Sequence, residues 1–141
     1  MSWLLDTNVI SEVRKGVRAH RSVREWWERT PEDDMYLSVL VVGEVRRGID
    51  SIRPRDEPSA LALEQWLARL RESFSGRVLK IDEAIADRWG ALDVPDRLPV
   101  VDGLLAATAL VHGLTLVTRK VRDIERTGVK LLDPFSPGEA R

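Results

Sequence analysis

The sequence predicts an α/β protein: a three-layer sandwich with a central parallel sheet between two layers of helices. Three observations carry that prediction. Five short apolar runs of strand character, at residues 3–5, 35–37, 78–81, 115–118 and 129–132, alternate with segments whose apolar residues recur at helical spacing. Alternation of this kind needs crossover connections, which make the strands parallel and lay the helices on the sheet faces. The first run stops abruptly at Asp6-Thr7-Asn8 and the fourth runs straight into Arg119-Lys120, as strands do where their carboxyl ends meet solvent. In open α/β sheets that edge, at the switch in strand order, binds ligands. With 141 residues the chain suffices for one domain, which we place at 1–135, leaving 136–141 as a C-terminal tail.

Composition narrows the class. Hydrophobic residues make up 43% and charged residues 32% of the chain, the balance of a soluble globular protein. Cysteine is absent, which excludes a disulfide scaffold and thiolate metal sites and agrees with a cytoplasmic location. No stretch approaches the ~20 apolar residues of a membrane span; the longest apolar region, 104–117, is broken by His112-Gly113. No basic residue precedes the first apolar run, so it does not read as a secretory signal. The net charge of −1 argues against bulk attraction to nucleic acid, but setting aside four carboxylates as candidate metal ligands would turn it into +3.

Along the chain, Trp3-Leu4-Leu5 reads as a buried strand with Asp6 at its carboxyl end. Asp is also a common N-cap, so Asp6 alone decides nothing. Residues 8–14 make a short helix stopped at Gly16, and 18–29 a second, with Val23, Trp26 and Trp27 on or near its core face. Two adjacent tryptophans are too wide for one stripe, so one ring is expected in the core and one half-exposed. Residues 31–34 form an acidic turn. After the strand at 35–37, Ser38 caps a helix over 39–49. Glu44 falls between Leu40 and Val41 on that helix's apolar face, where a carboxylate needs a metal or a partner; Arg47 is the nearest ion-pair alternative.

Residues 50–58 read as a polar linker with two prolines. Leu63, Trp66, Leu67, Leu70 and Phe74 then mark an amphipathic helix closed by Gly76. Asp82 caps the next helix, whose Ile85, Trp89 and Leu92 face the core. A loop at 94–99 leads to Asp102, which opens the most apolar helix and reads as its N-cap unless it does chemistry. His112, at the far end of that helix, is a dipole partner rather than a ligand. Asp123, among Arg119, Lys120 and Arg122, is either their ion-pair partner or a further ligand.

Four converging carboxylates without a cation would repel one another. Oxygen-only ligands suit Mg²⁺ or Mn²⁺, which activate water and clamp a phosphodiester. Arg46, Arg47, Arg119, Lys120 and Arg122 would then contact phosphates.

Four blocks, Leu4-Leu5-Asp6-Thr7-Asn8, Gly43-Glu44-Val45-Arg46-Arg47-Gly48, Asp102-Gly103-Leu104-Leu105-Ala106-Ala107-Thr108-Ala109 and Val117-Thr118-Arg119-Lys120-Val121-Arg122-Asp123, occur in that order. Together they resemble the PIN-domain ribonucleases, in particular VapC-type toxins of bacterial toxin–antitoxin pairs. The resemblance implies a PIN-like sandwich, bound Mg²⁺ or Mn²⁺, and cleavage of RNA, transfer RNA being one candidate. It also implies a small DNA-binding antitoxin and a homodimer. Its acidic quartet corresponds to Asp6, Glu44, Asp102 and Asp123, Glu44 acting directly or through water, with Thr7, Asn8 and Thr118 supporting the ligands. Two residues depart from the pattern: Lys120 stands where asparagine is usual and Val41 where threonine is common. We expect the Lys120 ammonium to point away from a bound ion towards substrate phosphate, because two cations in contact repel.

Three rivals compete. An aspartyl-nucleophile phosphatase would want a second Asp where Asn8 stands. A PIN-type DNA nuclease would need insertions, absent here, to guide branched duplexes. An RNA-binding module without catalysis would not need all four acidic positions.

Overall fold

Strand β1 (Trp3–Leu5) lies at the centre of a five-stranded, all-parallel sheet. The computed structural model describes residues 1–136; beyond Ser136, the expected tail lies outside the described residues. The other strands are β2 (Met35–Ser38), β3 (Val78–Leu79), β4 (Thr115–Val117) and β5 (Leu131–Leu132), in the order β3-β2-β1-β4-β5. Trp3 pairs with Met35 on one side and Thr115 on the other, and Leu5 with Val117. The chain winds outward from β1 to β3, then crosses back to β4, so the strand order switches between β1 and β4. There the Asp6 N–H donates to the Val117 carbonyl at 3.0 Å, holding Asp6 at the carboxyl edge of the switch.

Both faces of the central strands are apolar because both are covered. On one face Leu5 packs with Val9, Ile10, Trp26, Leu37 and Phe74. The helices there are α1 (Thr7–Val13), α2 (Arg21–Arg29), α3 (Val39–Ile52) and α4 (Glu57–Ser73). On the other face Leu4 packs with Leu105, Ala106, Ala109, Leu116 and Ile124. Leu105, Ala106 and Ala109 come from α6 (Val100–His112), which α5 (Glu83–Leu92) flanks, Leu116 from β4, and Ile124 from the short α7 (Val121–Ile124). No helix among the described residues is long and apolar enough to cross a membrane.

Several expectations hold. Ser38 and Asp82 cap their helices, accepting from the Leu40 and Ile85 N–H groups at 3.1 and 3.0 Å. Trp26 is buried edge-on against Trp3, with ring centroids 5.5 Å apart, while Trp27 is only partly buried. Gly113, at φ 68°, ends α6 in the left-handed conformation a side chain would resist.

Other expectations fail for local reasons. The helix expected over 39–49 runs on to Ile52, because Gly48 costs less than the packing of Ile49 gains. The linker shrinks accordingly: α4 begins at Glu57, with Asp56 as its cap and Pro58 in the first turn, where a missing N–H is harmless. The helix expected from residue 18 starts at Arg21, after a 3₁₀ turn at Gly16–Arg18 and with the His20 ring as its cap. Strands β3 and β5 are shorter than expected because each lies at a sheet edge and has one partner. Asp102 is not an N-cap. Pro99 holds that position, and Asp102 sits in the first turn of α6.

Candidate active site

Asp6 is placed by β1 and locked by hydrogen bonds from three residues. The Thr7 N–H donates to its Oδ1 at 2.7 Å, and the Thr118 hydroxyl and the Asn8 amide donate to its Oδ2 at 2.8 and 3.2 Å. Thr118 follows β4, so this contact ties the carboxyl ends of the two strands flanking the switch. The Asn8 side-chain oxygen Oδ1 in turn accepts from the Arg119 N–H at 3.2 Å. Thr7, Asn8 and Thr118 therefore fix the Asp6 carboxylate, and Asp6 itself is only 3% exposed.

Burial raises the Asp6 pKa above the ordinary carboxylate value, against the lowering effect of the Thr118 and Thr7 hydrogen bonds and the Lys120 charge; the charge of Asp102 pushes it further up. A raised carboxylate pKa means the folded protein holds this proton more tightly than the unfolded chain. Between the ordinary and the raised value, stability therefore falls as pH rises, and the cost is complete above that window. With divalent ions chelated, thermal melts taken from about pH 4 to about pH 7 should show this decline. The decline should be shallower in Asp6→Asn; identical slopes would assign it to other groups.

Asp102 reaches the same edge because α6 runs antiparallel to the strands, which returns its first turn to their carboxyl ends. It is 4% exposed, and its Oδ1 accepts from the Lys120 ammonium at 3.2 Å. The ammonium, expected to turn away from a bound ion, here pairs with one of the carboxylates expected to hold that ion. The charges Lys120 meets are carboxylates, and they attract it. Burial alone would lower the Lys120 pKa; the Asp102 hydrogen bond and the charges of Asp102, Asp6 and Glu44 outweigh it, and the net shift is upward.

Glu44 is joined to the site through Thr7, whose hydroxyl donates to Glu44 Oε1. Arg47 lies 3.8 Å from its other oxygen, so the ion-pair alternative is also realised, at a mostly exposed guanidinium. Arg46 takes a different path. Two residues on from Glu44, it points round the helix to α4 and pairs with Glu64 at 2.7 Å and Asp50 at 3.6 Å. Val41, where the resemblance favours threonine, is fully buried.

Among the described residues, no side-chain hydrogen bond joins Asp123 to the other three. It is exposed in the first turn of α7 and lines a cavity of about 640 Å³ with Arg119, Lys120, Arg122, Leu131 and Asp133. Arg119 stacks on Phe135, its guanidinium carbon 4.1 Å from the ring centre.

Arg14 was not among the expected site residues. Thr7 and Ser11 on α1 and Arg14 at its C-terminal cap fall at i, i+4 and i+7 and line one cleft with Glu44 and Trp66. That spacing was the available signal. The cleft continues past Arg14 and Trp66 into a cavity of about 630 Å³ bounded by Arg55, Asp56 and Arg69.

Among the described residues, no three His, Cys, Asp or Glu side chains stand close enough to grip an ion together. The donor chemistry nonetheless fits a hard divalent cation. The donors are all oxygens, two of the carboxylates are buried near enough to repel one another, and their joint field draws in an ammonium.

Residues 3–130 match the family model described as PIN domain. The chain is 30% identical to the VapC ribonuclease Y4jK of Sinorhizobium fredii, over 95% of this chain and 98% of that protein. The crystal structure of FitAcB from Neisseria gonorrhoeae superposes with a TM-score of 0.87 at 29% identity, covering 96% of this chain and 99% of that one. A toxin–antitoxin complex from Klebsiella pneumoniae superposes at 0.70 with 26% identity, covering 96% and 100%.

Proposed function

The chain belongs to the PIN-domain family, and from that premise we propose that it is a metal-dependent endoribonuclease toxin, hydrolysing RNA phosphodiester bonds and neutralised by a cognate antitoxin. One observation supports the reading most. Asp6 and Asp102, 96 positions apart in the sequence, are the two buried carboxylates among the described residues, and both lie at the carboxyl edge of the strand-order switch. A buried pair of like charges is costly unless a cation compensates it.

Asp6 and Asp102 would hold Mg²⁺ or Mn²⁺, with Glu44 directly or through a water. Asp123 is kept as the fourth acidic member on the family pattern, at the basic cavity. The ion supplies Lewis-acid activation of water and a clamp on the phosphodiester. Thr118, Asn8 and Thr7 hold Asp6 and Glu44 in place through the bonds described above. Arg47, Arg119 and Arg122, exposed around these carboxylates, would take the phosphates of a single strand. Likeness to the VapC ribonuclease supports RNA as substrate, and likeness to a toxin–antitoxin complex supports an inhibitory partner. That partner would place an Arg or Lys among the carboxylates and lay an apolar segment along the Trp66 cleft. A homodimer and a cytoplasmic setting belong to the same reading.

End-labelled RNA incubated with the purified chain in Mg²⁺, Mn²⁺ or chelator tests it. Cleavage with either ion and none with chelator is expected. RNA bound but never cut would favour a binding module, and cleavage confined to DNA would favour a DNA nuclease.

A further inference from the structure

We propose that Lys120 is a built-in competitor for the cation site: its ammonium neutralises Asp102 and must be displaced before a divalent ion takes that carboxylate, so Lys120 sets the metal affinity. The inference rests on the reading of Asp6 and Asp102 as metal ligands.

The position of Lys120 is fixed by its backbone. Its N–H donates to Thr118 Oγ1 at 3.0 Å, the same hydroxyl that donates to Asp6, and the Thr118 N–H is itself held by the Leu132 carbonyl at 3.0 Å. The main chain is thus anchored one hydrogen bond away from Asp6, while the side chain crosses to Asp102. Asp102 needs this partner. Its side chain is 6% exposed, it caps no helix, and Lys120 is the one hydrogen-bond donor its carboxylate has among the described residues. A buried carboxylate so placed must be compensated by a cation, and Lys120 is that cation. Both Asp6 oxygens, by contrast, already accept from Thr7, Asn8 and Thr118.

Release is mechanically simple. The Lys120 side chain is 47% exposed, and a flexible four-carbon stem lets the ammonium swing into water without moving the core. The exchange puts a doubly charged ion beside Asp6 and Asp102 in place of a single charge. Metal binding is therefore weakened by the competitor but not prevented.

Calorimetric titration of the full chain with Mn²⁺ tests this, comparing the parent, Lys120→Gln and Lys120→Arg. Lys120→Gln should bind Mn²⁺ about tenfold more tightly, melt at a lower temperature than the parent in chelator, and gain more from saturating Mn²⁺. A variant that folds only with Mn²⁺ supports the same conclusion. Lys120→Arg keeps the charge and should bind no more tightly than the parent. In an Asp102→Asn background, the effect of Lys120→Gln on metal affinity should vanish. Equal Mn²⁺ affinity for the parent and Lys120→Gln would overturn the competition and leave the metal centre standing. A tenfold gain in Lys120→Arg would also overturn it. No Mn²⁺ bound by any of the three would overturn the metal centre itself, and the inference with it.

Discussion

Asp6→Asn and Asp102→Asn should each reduce RNA cleavage by about a thousandfold or more, because a metal-stabilised transition state is worth several kcal/mol. The two variants should part company in stability, measured by thermal melts in chelator near neutral pH. Asp6→Asn removes a charge that burial disfavours, and it should melt at or above the parental temperature. Asp102→Asn leaves the Lys120 ammonium without its carboxylate, so the gain from relieved repulsion is offset and no rise is expected. Cleavage at the parental rate by both variants would remove these residues from the site. Lost cleavage together with a collapse in stability in both would make them structural.

Gly103→Ala should destabilise the fold by roughly 1–3 kcal/mol, the usual range for overpacking a filled interior. A Cβ there would lie 3.0 Å from Trp89 Cδ1 and 3.1 Å from Nε1, on a rigid ring wedged between α5 and α6. Leu98 Cβ, at 3.6 Å, limits movement the other way. Relief by movement of α6 would displace its first turn, which carries Asp102. Cleavage measured well below the melting temperature should therefore fall as well. Urea unfolding checks the stability; a parental midpoint would mean that Trp89 moves aside without cost. Trp89 Nε1 is buried without a hydrogen-bond partner among the described residues, so this ring is already held by packing rather than by polar contacts.

How far the site was legible varies residue by residue. Asp6 was legible because a strand of three apolar residues stops dead at it, and strand ends are local. Glu44 was legible as a carboxylate on an apolar helical face, but its bond to Thr7, 37 positions away, needed the fold. Asp102 carried an ambiguous local signal: an acidic residue at the start of an apolar helix reads as a cap until Pro99 is seen to hold that place. Its position at the sheet edge followed only from the direction of α6. The orientation of Lys120 was least legible, since it answers to the summed field of Asp102, Asp6 and Glu44, which come from three separate elements. Arg46 and Arg47 show the same limit: adjacent in sequence, they turn to Glu64 and to Glu44 respectively. For the fold, strand and helix order could be read from periodicity, whereas the lengths of β3 and β5 depended on their having one neighbour each.

The central claim is that carboxylates from β1 and α6 meet at one cation. Crystals of the chain soaked in Mn²⁺, with diffraction recorded at the manganese absorption edge, test it most directly. The expected result is an anomalous peak bonded by Asp6 and Asp102, with the Lys120 ammonium withdrawn from Asp102. Mn²⁺ bound elsewhere, with the Lys120–Asp102 pair intact, would contradict it.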